Sequence, residues 1–258
     1  MISVAIEAAR AAGEFLLEHV GNVKNIETKQ GEARNLVSEI DRGSERRIIG
    51  MIKERYPTHA ILAEESGGSE AAAEYKWIID PLDGTTNFLH AVPIFSVTIA
   101  IEHRGEIIAG VVYDPNHEEM FTAEKGSGAF LNGERMKVST AATLIETLLV
   151  TGFPYDIANN PDRASERFVG FLMEAQGIRR LGSAAMDLAY VAAGRFDGFW
   201  EVHLNPWDMA AGSLLVREAG GSVTDFAGKP SSVYVRQVLA SNGLVHGAML
   251  DVLKRAGA

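Results

Sequence analysis

The chain has 258 residues, and its 34 Asp+Glu against 24 Lys+Arg give a formal net charge of −10. This acidic balance disfavours a broad nucleic-acid surface or a polybasic membrane anchor, because both need clustered Lys and Arg. No apolar run approaches the roughly 18 residues that would span a bilayer, and the absence of Cys excludes disulfides and thiol catalysis. We therefore expect a globular cytoplasmic protein with no membrane or nucleic-acid partner.

The chain opens with two predicted helices. Small and apolar residues at helical spacing predict the first over Ile2–Val20. A polar loop over Glu27–Asn35 follows, and a second helix is predicted over about Ser38–Arg55, because Pro57 cannot continue it. Short apolar runs then predict a series of strands. The turn residues between them indicate that the strands form an antiparallel meander. These predicted strands cover 60–63, 76–79, 95–102, 107–113, 120–124 and 128–131.

From about residue 141 strands and helices alternate. The predicted strands are 148–151, 178–181, 198–202, 222–226 and 235–240, and the predicted helices are 184–193, 206–219 and 244–256. A further helix is expected to open at Asn160-Pro161 and to turn Ala164, Phe168, Phe171 and Leu172 inward. The fold class is thus α/β, with an α+β unit over 1–140 and an α/β unit over 141–258.

Two carboxylates three positions apart follow an apolar strand in Asp80-Pro-Leu-Asp83-Gly-Thr-Thr86. Pro81 holds Asp80 extended, so the chain can bring Asp80, the Leu82 carbonyl and Asp83 together. Such hard oxygen ligands suit Mg²⁺ or Mn²⁺, and a helix that begins after Gly84 could receive a phosphate. The alternative interpretation is an ordinary solvated turn, since Asp and Gly dominate turns.

Two other acidic stretches favour the metal site over the turn. Glu64 lies at the end of another apolar strand, and Asp208 lies at the start of an apolar helix. In α/β folds ligands bind at the carboxyl ends of strands. Asp208 alone could be an ordinary first-turn carboxylate that the helix dipole favours, but the three stretches together point to one site.

These motifs resemble the inositol monophosphatase family, and in particular its bacterial inositol-1-monophosphatases. The resemblance is carried by Glu64-Glu-Ser66, Asp80-Pro-Leu-Asp83-Gly-Thr-Thr86 and Trp207-Asp208-Met-Ala-Ala-Gly212, and it spans roughly Val4 to Phe226. It implies an αβαβα layered sandwich of the inositol monophosphatase and fructose-1,6-bisphosphatase type. It further implies Mg²⁺ as cofactor, inhibition by Li⁺ and a homodimer.

The resemblance also implies a role for each matching residue. Glu64, Asp80 and the Leu82 carbonyl would hold one Mg²⁺, and Asp80, Asp83 and Asp208 a second, with a looser third ion near Glu64. Thr85, Asp41 and Glu64 would be the catalytic residues, with Asp41 supporting Thr85 as it orients the attacking water. The substrate contacts that it implies are Gly84, Thr85, Gly182, Ser183, Ala184, Glu201 and Asp208.

The predicted reaction is hydrolysis of a phosphate monoester of a small polyol, most simply inositol monophosphate. Two cations can activate water and stabilise the leaving alkoxide, so we expect no phosphoenzyme. Fructose-1,6-bisphosphate, histidinol phosphate and 3′-phosphoadenosine 5′-phosphate remain alternative substrates, because pocket shape decides between them. A regulatory or scaffold protein with a vestigial phosphatase site is the alternative of a different class.

Overall fold

A computed structural model describes residues 1–22, 26–28, 36–68 and 73–257. The predicted loop therefore lies largely outside the described residues, since residues 29–35 are not among them. The α-helices of the described part are α1 (Ile2–Leu17), α2 (Glu39–Arg55), α3 (Thr85–Leu89), α4 (Ala164–Leu172), α5 (Ala184–Ala192), α6 (Pro206–Glu218) and α7 (His246–Gly257).

The strands of the described ranges form three sheets. Those before residue 140 are β1 (Ile26–Thr28), β2 (Leu36–Ser38), β3 (Ala60–Ala63), β4 (Gly67–Gly68), β5 (Tyr75–Asp83), β6 (Ser96–His103), β7 (Glu106–Asp114), β8 (Glu119–Glu124), β9 (Gly128–Leu131) and β10 (Glu134–Arg135). β1 and β2 pair with each other, and the others form one sheet in the order β10-β9-β8-β7-β6-β5-β3-β4. The run from β5 to β10 is the predicted antiparallel meander, whereas β3 pairs with β5 in parallel.

The second large sheet lies in the C-terminal half. Its strands are β11 (Leu148–Thr151), β12 (Gly177–Arg179), β13 (Gly198–Val202), β14 (Ser222–Thr224) and β15 (Gln237–Ser241), in the order β12-β11-β13-β15-β14. β11 runs parallel to β12 and β13, and β15 runs antiparallel to both of its neighbours.

Apolar side chains join these elements into five layers. One core cluster packs α1 and α2 on the outer face of the first sheet, for example through Ala8, Ile48 and Ile79. A second joins the inner faces of both large sheets to α5 and α6, and a third packs α4 and α7 on the far face of the second sheet. The order is therefore helix, sheet, helix, sheet, helix, which confirms the predicted αβαβα sandwich. The division into units at residue 140 stays a prediction.

The helix expected to open at Asn160-Pro161 begins later, at Ala164. Asn160, Asp162 and Arg163 have φ between 46° and 53°, a left-handed conformation that an α-helix cannot include. Leu172 was predicted to be inward, and this is wrong, because it ends α4 on the edge of the buried face and is 52% exposed. Within the described ranges, no helix combines the length and apolarity needed to cross a bilayer.

Candidate active site

The site is built on the end of β5. Its preceding residues Trp77, Ile78 and Ile79 are fully buried, which anchors the strand between the layer of α1 and α2 and the layer of α5 and α6. A register shift between Asp80 and Asp83 bends the chain away from β6, and the Leu82 N–H donates to Asp80 Oδ1 at 3.0 Å. The predicted close approach of these two carboxylates is therefore a consequence of this bulge.

Gly84 lets β5 turn sharply into α3. Its φ of 94° is a left-handed conformation, and a Cβ there would lie only 3.0 Å from the Ile94 carbonyl oxygen. Only glycine meets both conditions without strain. The turn places Thr85 at the first position of α3, as the sequence predicts.

Asp208 completes a group of three carboxylates. It is the third residue of α6, where its Oδ2 accepts a hydrogen bond from the Asn205 N–H at 2.6 Å in a capping box. Asp80, Asp83 and Asp208 each offer one carboxylate oxygen, and these oxygens lie within 4.8 Å of one another. Asp208 is thus a first-turn carboxylate of α6, as the alternative interpretation expects, and at the same time a member of the cluster.

The N-terminus of α5 holds Asp83, another member of the cluster, in place. Asp83 Oδ2 accepts hydrogen bonds from the Ser183 hydroxyl at 2.6 Å and from the Ala185 N–H at 2.8 Å. Burial raises the pKa of Asp83 to about 6, and these two hydrogen bonds oppose that rise. Ser183 and the start of α5 are thereby tied directly to the cluster, 100 positions further along the chain.

The cluster is electrostatically strained without a cation. Burial, and after it the negative charges of Glu64 and Asp83, raise the pKa of both Asp80 and Asp208. Like charges at this spacing disfavour ionisation, whereas a bound cation would favour it. The donor set consists of oxygen alone, which fits Mg²⁺ and does not favour zinc.

Glu64 lies beside the three-carboxylate cluster. Its backbone N–H donates to the Ile79 carbonyl at 3.1 Å, which fixes the turn after β3 against β5. Its charge and a side-chain hydrogen bond are among the causes of the raised Asp80 pKa. The structure therefore brings Glu64 into the same site.

Thr85 and Asp41 meet on the α2 side of the cluster. Thr85 Oγ1 lies 3.0 Å from Asp41 Oδ1 and 3.2 Å from the Leu82 carbonyl oxygen. Asp41 Oδ2 accepts from the backbone N–H and the hydroxyl of Ser38, which caps α2. Asp41 is 1% exposed, so its carboxylate is held by protein donors in a fixed position.

Sequence reasoning missed two neighbours of Asp41 on α2. Glu45 accepts hydrogen bonds from the N–H groups of Glu65 at 2.8 Å and Ser66 at 2.9 Å, and Ser44 donates to the Pro81 carbonyl at 2.8 Å. Both are buried, and with Asp41 they continue the helical face of Ile48 and Ile52. That continuity of spacing is the signal that could have found them.

A cleft of about 580 Å³ opens from the cluster towards the second sheet. Glu64, Asp83 and Asp208 are among the residues that line it. Of the other substrate contacts that the resemblance implies, Gly182, Ser183, Ala184 and Glu201 line it, whereas Gly84 and Thr85 are not among its lining residues. Arg180 and His203 also line it.

Glu201 on β13 lies tightly against Gly152. A Cβ at Gly152 would be 2.2 Å from Glu201 Oε2, so this glycine provides the room for the carboxyl group. Burial raises the pKa of Glu201 to about 8, the charge of Arg180 opposes this, and that of Asp83 adds to it. Glu201 can therefore carry a proton near neutral pH.

Asp187 on α5 is a second buried carboxyl group of the cleft that sequence reasoning missed. It is 1% exposed, and within the described part of the chain its Oδ1 has no hydrogen-bond partner. Burial and the charge of Glu201 raise its pKa well above the usual range. Its place inside an apolar helix gave no sequence signal for it.

Comparison with known proteins agrees with this geometry. The model of the inositol monophosphatase family matches residues 1–257. The chain is 45% identical to the Nus factor SuhB of Pseudomonas aeruginosa over 98% of this chain and 96% of that protein. It is 41% identical to the inositol-1-monophosphatase of Mesorhizobium japonicum, with 99% and 96% covered.

A solved structure shares the fold closely. The inositol monophosphatase (IMPase) of Thermotoga maritima superposes with a TM-score of 0.91 at 41% identity, covering 99% of this chain and 97% of that one. Fold, acidic cluster and sequence agree over nearly the whole length. The chain therefore belongs to the inositol monophosphatase family and is a phosphoric monoester hydrolase.

Proposed function

We propose that the protein hydrolyses inositol monophosphate to inositol and phosphate, with Mg²⁺ and a directly attacking water. The observation that carries this proposal is the group of three carboxylates within 4.8 Å of one another, two of which line a cleft together with Glu201. Carboxylates in this number would repel a phosphate on their own. They suit a phosphate substrate only with bound cations.

Glu64, Asp80, the Leu82 carbonyl, Asp83 and Asp208 are the groups that would hold two Mg²⁺ ions, with a third near Glu64. When bound, such ions supply an activated water and neutralise the charge of the leaving alkoxide. The chain itself contributes no covalent nucleophile in this scheme. Trapping a phosphorylated Ser, Thr or Asp during turnover would contradict it.

Thr85 and Asp41 orient the water in this proposal. The Thr85 hydroxyl donates its hydrogen to Asp41 at 3.0 Å. Its oxygen lone pairs can therefore accept a hydrogen bond from the attacking water. The N–H groups of Gly84 and Thr85, at the start of α3, would donate to phosphate oxygens, because first-turn amides have no partner within the helix.

Glu201, Gly182, Ser183 and Ala184 would bind the leaving alcohol. A carboxylate accepts hydrogen bonds from hydroxyl donors, which a polyol offers in number. The name of the Mesorhizobium japonicum relative supports inositol-1-phosphate as the substrate.

A phosphate-release panel tests this substrate. Inositol-1-phosphate, fructose-1,6-bisphosphate, histidinol phosphate and 3′-phosphoadenosine 5′-phosphate are compared with Mg²⁺, with Mg²⁺ plus Li⁺, and with EDTA. We expect the highest kcat/KM for inositol-1-phosphate, inhibition by Li⁺ and no turnover in EDTA. A higher kcat/KM for another ester would reassign the substrate, and full activity in EDTA would remove the metal mechanism.

A regulatory role without catalysis is a second candidate. It is favoured by the name Nus factor that the 45% identical Pseudomonas aeruginosa relative carries. Asp83→Asn separates the two, because a regulatory role should survive this substitution when the variant replaces the chromosomal copy. A homodimer and a cytoplasmic location remain predictions for either function.

A further inference from the structure

Several buried polar atoms near the site have no hydrogen-bond partner among the described residues. They are Ser96 Oγ, Thr98 Oγ1, Asp187 Oδ1 and Trp207 Nε1. A buried hydroxyl without a hydrogen-bond partner costs free energy of folding. Because native proteins satisfy most buried polar groups, each of these atoms needs an explanation.

Two of them stand directly opposite members of the carboxylate cluster. On β6, Thr98 pairs with Asp80 and Ser96 pairs with Asp83 across the β5–β6 ladder. Directly opposed residues of antiparallel strands project from the same face, with Cβ atoms about 4.5–5.5 Å apart. Thr98 is 1% exposed and Ser96 is fully buried, so solvent does not satisfy either hydroxyl.

This face is the one covered by α6, which carries Asp208. Ala100, two residues beyond Thr98, and Ile78, two residues before Asp80, belong to the core cluster that packs against α5 and α6. Since side chains alternate along a strand, Thr98 and Asp80 point towards the same layer. The Thr98 side chain thus lies between its own sheet and α6, the helix that carries Asp208.

The two carboxylates differ in how firmly protein donors hold them. Asp83 is fixed by Ser183 and Ala185. Among the described residues, the Asp80 carboxyl group accepts a hydrogen bond from the adjacent Leu82 N–H and shares one with the carboxyl group of Glu64, which requires a proton on one of the two. When both groups are ionised, no described donor from another element holds Asp80, and Thr98 stands opposite it.

We propose that Thr98 is a positioning residue of the metal site, whose hydroxyl donates a hydrogen bond to the Asp80 carboxylate when a divalent cation is bound. The proposal rests on the metal dependence of the proposed function. Carboxylates that ligate metals are in turn commonly hydrogen-bonded by an outer partner, whose loss costs about 10–100-fold in metal affinity or activity. Packing does not explain the hydroxyl, since Val has the same shape and the same preference for strands.

The test uses Thr98→Val with two matched variants. Thr98→Ser keeps the hydroxyl, and Ser96→Ala removes an equally buried hydroxyl that faces the already fixed Asp83. Mg²⁺ affinity is measured by titration calorimetry on the full chain without substrate, and Tm is measured in EDTA. These readouts do not require turnover.

We expect Thr98→Val to weaken Mg²⁺ binding by about tenfold or more while its Tm in EDTA stays equal to or above wild type. Thr98→Ser and Ser96→Ala should bind Mg²⁺ like wild type. Unchanged affinity in Thr98→Val, an equal loss in Ser96→Ala, or a loss accompanied by a lower Tm in EDTA would overturn the proposal.

The result also separates this inference from the proposed function. A wild-type protein that binds Mg²⁺ but hydrolyses none of the four esters contradicts the proposed function alone. Equal Mg²⁺ affinities of wild type and Thr98→Val contradict the role of Thr98 alone.

Discussion

The hydroxyl of Thr85 lies 3.0 Å from a carboxylate oxygen of Asp41, which precedes it by 44 positions. The other oxygen of Asp41 is held at the start of α2 by Ser38, so the N-termini of α2 and α3 meet at this one carboxylate. Asp41 is buried, and its carboxylate lies against the Thr85 hydroxyl on one side and the hydroxyl and N–H of Ser38 on the other. A Thr85 hydroxyl that donates to Asp41 keeps its own oxygen free to accept a hydrogen bond from the attacking water.

Replacing Thr85 by Val should therefore impair catalysis without unfolding the protein. The variant keeps the shape of the side chain but cannot accept a hydrogen atom from the attacking water. We expect kcat to fall by about 100-fold or more, as for other groups that handle a proton in the transition state. Thr86→Val, at the exposed next position, is the control. A Thr85→Val enzyme with wild-type kcat would exclude this role.

Local sequence signals were enough to predict part of the site. Asp80, Asp83 and Gly84 follow a buried strand within a few residues, so turn chemistry and strand burial already indicate their convergence. The start of α3 at Thr85 and the first-turn position of Asp208 are local as well. Each of these features depends on neighbours within one turn of the chain.

Long-range partners could not be predicted in the same way. The bond between Asp83 and Ser183 spans 100 positions and depends on how α5 packs between the sheets. Glu45 was overlooked because a polar residue on a helix is usually solvent-exposed, whereas its carboxylate accepts two N–H groups of the turn after β3. Asp187 is hidden for the same reason. Only the family resemblance identified Asp41 and Glu201.

Asp83→Asn should abolish turnover while leaving the fold intact. The amide oxygen can still accept from Ser183 and Ala185, but the neutral side chain is a poor ligand for a hard cation. Loss of a residue that only hydrogen-bonds a metal ligand already costs about 10–100-fold in metal affinity or activity. Loss of a ligand itself should therefore lower kcat by at least about 100-fold. Phosphate release and Tm are measured together. Asp251→Asn, exposed on α7, is the control, and more than a few per cent of residual activity would remove Asp83 from the site.

Gly152→Ala tests the placement of Glu201. The new Cβ would lie 2.2 Å from Glu201 Oε2, so the carboxyl group must move from its present place in the lining of the cleft. A buried polar group that loses its hydrogen bond costs about 1–3 kcal/mol, so KM for inositol-1-phosphate should rise about fivefold or more. Turnover of p-nitrophenyl phosphate, which offers no hydroxyl donors, should change little.

The helical Gly50 is the control for that substitution, because a Cβ there meets nothing within 4 Å. Gly50→Ala should leave both substrates unaffected and should stabilise α2 slightly. An equal effect of Gly152→Ala on both substrates would show that it disturbs the phosphate end and not the binding of a polyol.

The buried carboxyls predict that the metal-free protein loses stability as pH rises. Burial raises the pKa of Asp83 to about 6 and of Glu201 to about 8, and it raises those of Asp80, Asp187 and Asp208 as well. Each group therefore binds its proton more tightly in the folded chain than in the unfolded chain, where carboxyl pKa values are about 4. At pH values between the unfolded and the folded pKa, the folded state holds more protons than the unfolded state, so the free energy of unfolding falls with increasing pH.

We accordingly expect Tm in EDTA to decrease steadily from pH 5 to pH 8.5, and Glu201→Gln to make the curve less steep at pH values up to about 8. Saturating Mg²⁺ should reverse the trend, because the cation binds the ionised carboxylates and stabilises the folded state by mass action. Thermal unfolding across this pH range, with EDTA or with Mg²⁺, measures both effects. A Tm in EDTA that rises towards pH 8.5 would mean that the cluster is not the strained group of acids that its geometry indicates.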